Sequence, residues 1–319
     1  MTEDAGSIQD TVYCLAFSPN FTADKICFAA RESGLYRSED GGETWENAYT
    51  SLGLTSVLST LVVAFSPDFI HDHQVFAGVQ GAIMRSSDGG KTWFATLLPD
   101  PPPMVVSLAL SPNYAYDGGL LAGTLEDGVL CSTDRGVQWS SWNFGLLDLN
   151  TYDLAISPNF EKDETLFVAT ESGIFRSTNG GRAWRGLEFP LEYAPVITLA
   201  ISPNYLQDGE IYAGTETKGL FHSANQGKTW NQLGRKTFSG AINKLLLSLD
   251  YAKKPQILAL HEETLLISNN GGTSWVQWQT GLGEDEAITC MAAPWGLEKG
   301  APLLVGLSDG QLKVVKRSK

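Results

Sequence analysis

A segment of 45 to 48 residues recurs along the whole chain, and that recurrence limits the fold more than any other feature. Its second half reads GLYRSEDGGETW, AIMRSSDGGKTW, GVLCSTDRGVQW, GIFRSTNGGRAW, GLFHSANQGKTW and TLLISNNGGTSW. The serines that open these boxes are Ser38, Ser86, Ser132, Ser177, Ser223 and Ser268, with steps of 48, 46, 45, 46 and 45 residues. Its first half recurs as LAFSPNFTAD, VAFSPDFIHD, LALSPNYAYD, LAISPNFEKD and LAISPNYLQD, then in degraded form as LLSLDYAKK and CMAAPWGLEK. That makes seven units in 319 residues, and the even spacing leaves no linker, so residues 1–319 form one domain.

Each unit holds short runs rich in Val, Ile, Phe and Tyr, separated by SPN, ESG and DGG punctuation. This is the pattern of antiparallel strands and tight turns. In the first unit, strand A falls at LAFSP, B at ICFAA, C at GLYRS, and D begins at TW. A lone four-stranded sheet cannot bury both faces, so the units must stack on one another. Radial stacking closes them into an all-β, seven-bladed propeller without long exposed edges. The seventh unit ends as PLLVGLSDGQLKVVKRSK, with no box behind it. In the inner units 17 residues separate the box Trp from the apolar residue before Ser-Pro, and 17 back from Phe17 falls just before Met1. Residues 1 to about 10 are therefore expected to fill or cover the outer edge of the last blade.

The boxes resemble the Asp-box, or BNR, repeat, S-x-D-x-G-x-x-W: Ser38, Asp40, Gly42 and Trp45 match it fully, as do Ser86, Asp88, Gly90 and Trp93. The other boxes are Ser132, Asp134 and Trp139; Ser177, Asn179 and Trp184; Ser223, Asn225 and Trp230; Ser268, Asn270 and Trp275. Physical chemistry gives these residues structural work. The Asp accepts backbone N–H groups of its own hairpin, Gly permits positive φ, Trp packs on the next sheet and Ser caps the turn. Asn at three of the six positions keeps the accepting oxygen and loses the charge, which favours a structural box over a calcium site. Asn20, Asn113, Asn159 and Asn204 of the SPN turns are likewise turn residues.

The resemblance implies sialidases, xyloglucan-degrading glycosidases, sortilin-type receptors and photosystem II assembly factors as relatives, whose functions diverge. Sialidase chemistry calls for three arginines on a substrate carboxylate. Of the nine arginines, Arg37, Arg85 and Arg176 precede box serines at the opposite end of the ring, Arg135 and Arg182 lie in box turns, Arg185 follows a box Trp and Arg317 is in the tail, leaving Arg31 and Arg235 for the pocket face. The xyloglucan enzymes use two propellers, whereas seven units make one.

Net charge is −14, from 22 Lys plus Arg against 36 Asp plus Glu. That argues against nucleic acid, whose binding rests on cationic side chains displacing counterions. No apolar run reaches the ~18–20 residues of a membrane span, and MTEDAGSIQD has no signal-peptide character, so the expected compartment is the cytoplasm. Cys14, Cys27, Cys131 and Cys290 form no CxxC pair and have no nearby His, so they are expected to be buried thiols and not zinc ligands. His71 and His73 of the HDH turn make at best a weak metal pair with Asp72. No metal or cofactor is expected.

In this architecture the boxes share one face, and ligands approach the other, made of B-to-C turns and D-to-A connections. The B-to-C turns carry Glu32, Glu126, Asp127, Glu171, Glu216, Glu262, Glu263 and Asp309, an acidic rim by rotational repetition. It reads either as a set of solvated turns or as a mouth that draws in a cation or a basic protein segment. Two such carboxylates about 5–9.5 Å apart would suit glycoside hydrolysis. The D-to-A connections are unusually apolar, with Leu54, Pro102, Phe144, Leu147, Phe189, Tyr193 and Phe238 either plugging gaps or forming a docking patch. Trp142, Trp278 and Trp295 lie outside the boxes, where their faces either pack on outer strands or stack on sugars. The function expected is a non-enzymatic protein-binding or scaffolding surface on this rim, with glycan binding or cleavage as the alternative.

Overall fold

The computed structural model describes residues 10–191, 193, 195–283 and 285–316. They form a seven-bladed β-propeller in which six sheets have four antiparallel strands in sequence order and one has three. Blade 1 is Val12–Phe17, Cys27–Arg31, Gly34–Ser38 and Glu46–Asn47, strands A to D. The innermost strands of blades 2 to 7 are Val62–Phe65, Met104–Leu110, Thr151–Ile156, Val196–Ile201, Ile242–Leu247 and Ile288–Ala292. The three-stranded sheet is blade 7, completed by Pro302–Leu307 and Leu312–Lys316. Its outer edge is where residues 1 to about 10 were expected, and residues 1–9 lie outside the described residues. Asp10 and Thr11 reach blade 7 at its B-to-C turn, where Thr11 Oγ1 donates to Ser308 O at 3.4 Å. Thr289 Oγ1 of blade 7 donates to Val12 O at 2.6 Å, joining the last inner strand to the first.

Stacking of neighbouring blades builds the core. Phe28, Phe76, Phe167 and Tyr212 occupy equivalent places in strand B and are wholly buried. Each meets a ring of the next blade: Phe28 and Phe65 at 5.5 Å, Phe76 and Tyr114 at 5.9 Å, Phe167 and Tyr205 at 5.9 Å, Tyr212 and Tyr251 at 6.2 Å. Burying a side chain of this size contributes about 1.5–3 kcal/mol relative to leaving it in water. Strand B also carries glycines where the next inner strand crosses: a Cβ at Gly78 would lie 2.6 Å from Val105 Cγ1, and one at Gly306 2.6 Å from Val12 Cβ. At these two positions a Cβ would collide with the valine, whereas the same register holds Ala30, Ala169 and Leu260 in blades 1, 4 and 6.

The A-to-B connections are one-turn helices such as Phe21–Asp24 and Tyr205–Asp208. Asn20, Asn113, Asn159 and Asn204 stand at their N-caps without side-chain capping bonds. The fastening is done by a serine–aspartate staple. Ser18 Oγ donates to Asp24 Oδ2 at 2.6 Å, and Asp24 Oδ1 accepts from Ile26 N at 3.0 Å. The same bond recurs at Ser66–Asp72, Ser111–Asp117, Ser157–Asp163 and Ser202–Asp208. Asp72 is thus engaged by Ser66 and Gln74, while His71 Nδ1 faces Asp68 at 2.5 Å and His73 adopts φ 51° at the helix end. Among the described residues no helix is long and apolar enough to cross a membrane, and no three His, Cys, Asp or Glu side chains converge as metal ligands.

Candidate functional site

Strand direction fixes two faces. One gathers the one-turn helices and the boxes; the other gathers the B-to-C turns, the D-to-A connections and the mouth of the central channel. In each of the six boxes the opening serine donates to the Asp or Asn two residues on. Ser86 Oγ donates to Asp88 Oδ1 at 2.8 Å and accepts Gly90 N at 2.8 Å. Asp88 accepts from Lys91 N, Thr92 N and Thr92 Oγ1 at 3.0, 2.9 and 2.6 Å. The Thr44 hydroxyl and amide, with Ser38 and Glu43 N, hold the Asp40 carboxyl far below its ordinary range. Trp45, Trp93, Trp230 and Trp275 each donate Nε1 to the carbonyl of their own box glycine, whereas Trp184 donates to Trp142 O. Asn225 and Asn270 keep the acceptor at Oδ1 and turn Nδ2 toward Thr229 Oγ1 and Ser274 Oγ.

The channel is a cavity of about 340 Å³ walled by the seven inner strands. One level of that wall, at equivalent register, is Cys14, Val62, Ser107, Asp153, Thr198, Lys244 and Cys290. Asp153 is locked by backbone: Oδ1 accepts Leu154 N at 3.0 Å and Oδ2 accepts Leu199 N at 2.9 Å and Thr198 Oγ1 at 3.2 Å. The carboxylate acts through space on Lys244 and holds its ammonium above the ordinary lysine range, against the desolvation that would lower it. Ser107 Oγ is buried without a hydrogen-bond partner. Burial pushes the Cys14 and Cys290 thiols up, so both stay protonated near neutral pH.

Around the mouth, Glu126, Glu171, Glu216, Glu262, Glu263 and Asp309 are exposed, with Glu32 and Asp127 half-buried. Glu32 accepts the Tyr13 hydroxyl at 2.6 Å and Ser59 Oγ at 3.1 Å. That bond, with burial and the Glu32 charge, pushes the Tyr13 phenol up to about 12. Burial, then the charges of Glu171, Glu216 and Asp148, raise the Tyr152 phenol, which places these carboxylates in electrostatic reach of the channel wall. Glu171 Oε2 accepts Asn150 Nδ2 at 2.6 Å. Glu126 and Glu262 adopt positive φ, 74° and 53°, and the Glu262 side chain packs over Gly240. Glu262 and Glu263 line a cleft of about 420 Å³ between blades 6 and 7. Arg31 is spent here, between Asp10 at 3.5 Å and the Tyr36 ring at 4.2 Å. Arg37, Arg85 and Arg176 donate to box-turn carbonyls on the other face, and among the described residues no three arginines converge at the channel mouth.

The apolar candidates divide. Leu54, Phe144, Leu147 and Tyr193 are 49%, 80%, 88% and 90% exposed, and Leu54 lines a cleft of about 460 Å³ with Val57 and Leu58. Phe189 packs between Phe221 and Trp230 at 5.0 and 5.3 Å. Phe238 is 2% exposed and lies 4.9 Å from Trp275. These two belong to the interblade core and not to a surface patch: a D-to-A connection must cover the box Trp of the next blade, as Tyr49 covers Trp93 at 5.5 Å. Pro102 packs over Gly81. Trp278 is 1% exposed, Trp142 and Trp295 are half-buried, and Trp295 meets Phe21 edge-on at 5.1 Å.

The staples, the Asp153–Lys244 level of the channel and a Glu210–His222–Tyr cluster on the box face were not among the residues singled out from sequence. The staple had a signal: Ser-Pro and Asp recur six residues apart in five units. Asp153 and Lys244 were visible as charges four residues before the Ser-Pro serine or its equivalent, where other units carry Cys, Val, Ser or Thr.

No protein-family model matches the chain, and no curated protein matches it. Solved structures do. The extracellular domain of a protein described as a one component system from B. thetaiotaomicron superposes with a TM-score of 0.73 at 16% identity, covering 98% of this chain and 39% of that one. A GH74 xyloglucanase from Xanthomonas campestris gives 0.71 at 15% identity, over 94% of this chain and 51% of that one. A structure described as YCF48 bound to D1 peptide gives 0.69 at 16% identity, over 98% of this chain and 93% of that one. The chain thus spans between two fifths and half of the first two and nearly all of the third, and likeness at this level of identity shows the propeller fold.

Proposed function

We propose that the protein is a non-catalytic binding propeller that holds a basic, partly apolar segment of a partner protein across the channel mouth. The observation that carries this reading is the co-location, on one face, of exposed carboxylates with exposed Leu54, Phe144, Leu147 and Tyr193. Exposed apolar side chains grouped on a charged rim suit docking of a peptide, the carboxylates steering it and the apolar groups holding it. Support comes from the similar propeller YCF48, whose structure with a D1 peptide matches this chain over nearly the whole length of both. The xyloglucanase likeness lends weight to carbohydrate chemistry only over half of that enzyme.

The test is a titration of fluorescent peptide pools, Lys/Arg-rich and Asp/Glu-rich, against the wild type and Glu126→Gln/Glu171→Gln/Glu262→Gln. The expected result is binding of the basic pool, weakened about tenfold by the triple change and by raising salt, since exposed charge pairs contribute about 0.2–1 kcal/mol each. Turnover of a xyloglucan oligosaccharide library, abolished by one rim Glu substitution, would overturn the reading.

A further inference from the structure

The box face shows a device that recurs in three blades and is replaced in blades 3, 5 and 6, where Cys131, His222 and Ile267 stand in its place. In blades 1, 2 and 4 the residue before the box serine is an arginine that crosses to the next blade and donates to a backbone carbonyl of its box. Arg37 Nε meets Gly89 O at 2.7 Å, Arg85 Nη1 meets Arg135 O at 3.0 Å, and Arg176 Nη1 meets Gln226 O at 2.9 Å. In blade 5 this position is His222, and the matching carbonyl across the groove is that of Gly271. The shorter imidazole does not reach across: it stacks on Tyr212, with ring centroids 4.5 Å apart and planes at 20°. Where the guanidinium lies in blades 1, 2 and 4, the groove between blades 5 and 6 holds a pocket of about 380 Å³ whose lining includes Glu210, His222, Tyr251 and Gly271.

The lining has the matching chemistry. Blade 2 has Gln74 where blade 5 has Glu210, and Gln74 Oε1 accepts the Tyr114 hydroxyl at 2.5 Å. Blade 5 has therefore lost the arginine's positive charge and gained a carboxylate. Glu210 Oε2 accepts the Tyr212 hydroxyl at 3.0 Å, and Tyr212 in turn shares a 2.5 Å bond with Tyr251. His222 Nε2 is buried and lies 3.6 Å from Glu210 Oε2, beyond hydrogen-bond distance but close enough to pair with that carboxylate when protonated. The pocket thus offers a planar cation a carboxylate, a carbonyl oxygen and an aromatic ring, the acceptors and stacking face that a guanidinium takes.

We infer that the groove between blades 5 and 6 is a receptor for a guanidinium group supplied from outside, the side chain of an arginine entering where blades 1, 2 and 4 place their own. This site is independent of the channel-mouth reading and lies on the opposite face. The probes are Nα-acetyl-L-arginine N-methylamide, its lysine counterpart and free L-arginine, titrated into the full chain and followed by amide NMR shifts. The blocked arginine binds at least about fivefold more tightly than the blocked lysine, because only the planar fork reaches Glu210 and the Gly271 carbonyl together. His222→Arg fills the pocket from within and abolishes binding while the protein melts at the same or a higher temperature; Glu210→Gln weakens binding about tenfold, as loss of a charge-assisted bond does. Binding by both the blocked and the free form, or by the blocked form alone, supports an arginine residue of a partner. Binding by free L-arginine alone supports the pocket with the free amino acid as its occupant. Equal binding of the lysine probe, no binding of any arginine probe, or unchanged affinity in both variants overturns the inference.

Discussion

Asp88 offers a direct measure of how a box holds its hairpin. Asp88→Ala removes the acceptor for Lys91 N, Thr92 N and Thr92 Oγ1 and the partner of Ser86 Oγ. Lys91 and Thr92 are exposed, so water replaces part of what they lose, while Ser86 is buried, and the net cost expected is about 1.5–3 kcal/mol. Asp88→Asn retains Oδ1 and points a donor at Thr92 Oγ1, the arrangement Asn225 makes with Thr229 at 2.8 Å, so its cost at pH 7 is about 0.5–1 kcal/mol. Burial alone would raise the Asp88 carboxyl, but the Thr92 hydroxyl and amide, Ser86 and Lys91 N outweigh it and bring it to about 2. A carboxyl lowered on folding contributes stability that is complete above its ordinary value of 3.8 and lost as pH falls from there through about 2. Wild type and Asp88→Asn therefore differ at pH 7 and converge toward pH 2. The assay is urea unfolding followed by tryptophan fluorescence at pH 7, 4 and 2.5, with and without calcium. Equal destabilisation by Ala and Asn, or a calcium-dependent rise in stability confined to the wild type, refutes the view that these boxes are self-contained hydrogen-bonded turns.

The remaining predictions concern the core. Burial pushes the Cys27 and Cys131 thiols up to about 12 and raises Cys14 and Cys290 as well, so a chromogenic disulfide reagent at pH 8 should titrate no thiol in the folded protein and four after denaturation. Gly78→Ala drives a Cβ to within 2.6 Å of Val105 and 2.7 Å of Val62, an overpacking expected to cost about 1–3 kcal/mol and to lower the melting temperature in calorimetry.

What the sequence made legible was what rotation repeats. The strand pattern, the boxes and the blade count all rest on residues that recur at fixed spacing, so Trp45 or Ser86 could be placed by register alone. What it hid were features made by exception or by contact between blades. Phe189 and Phe238 look like Leu54 or Phe144 in sequence, all apolar residues in irregular connections. Their opposite exposures depend on whether the loop folds down over the next box Trp. His222 and Glu210 lie ten residues beyond Tyr212 and two before it, and only stacking against Tyr251 of the next blade makes them one pocket. Lys244 and Asp153 are 91 positions apart, and the circle alone brings them to the same depth.

The crossings at Gly78 and Gly306 bear on how the central passage behaves. There the valine of the next inner strand, Val105 or Val12, sits in the notch left by a strand-B glycine, so neighbouring blades are keyed together and their spacing around the passage is set by that packing. Widening it would require whole sheets to slide apart and expose rings such as Phe28 and Phe76 to water. A molecule entering from the rim therefore meets a rigid gauge. It is sorted by its cross-section before chemistry has a say, and Asp153 and Lys244 are met only by something slender enough to pass.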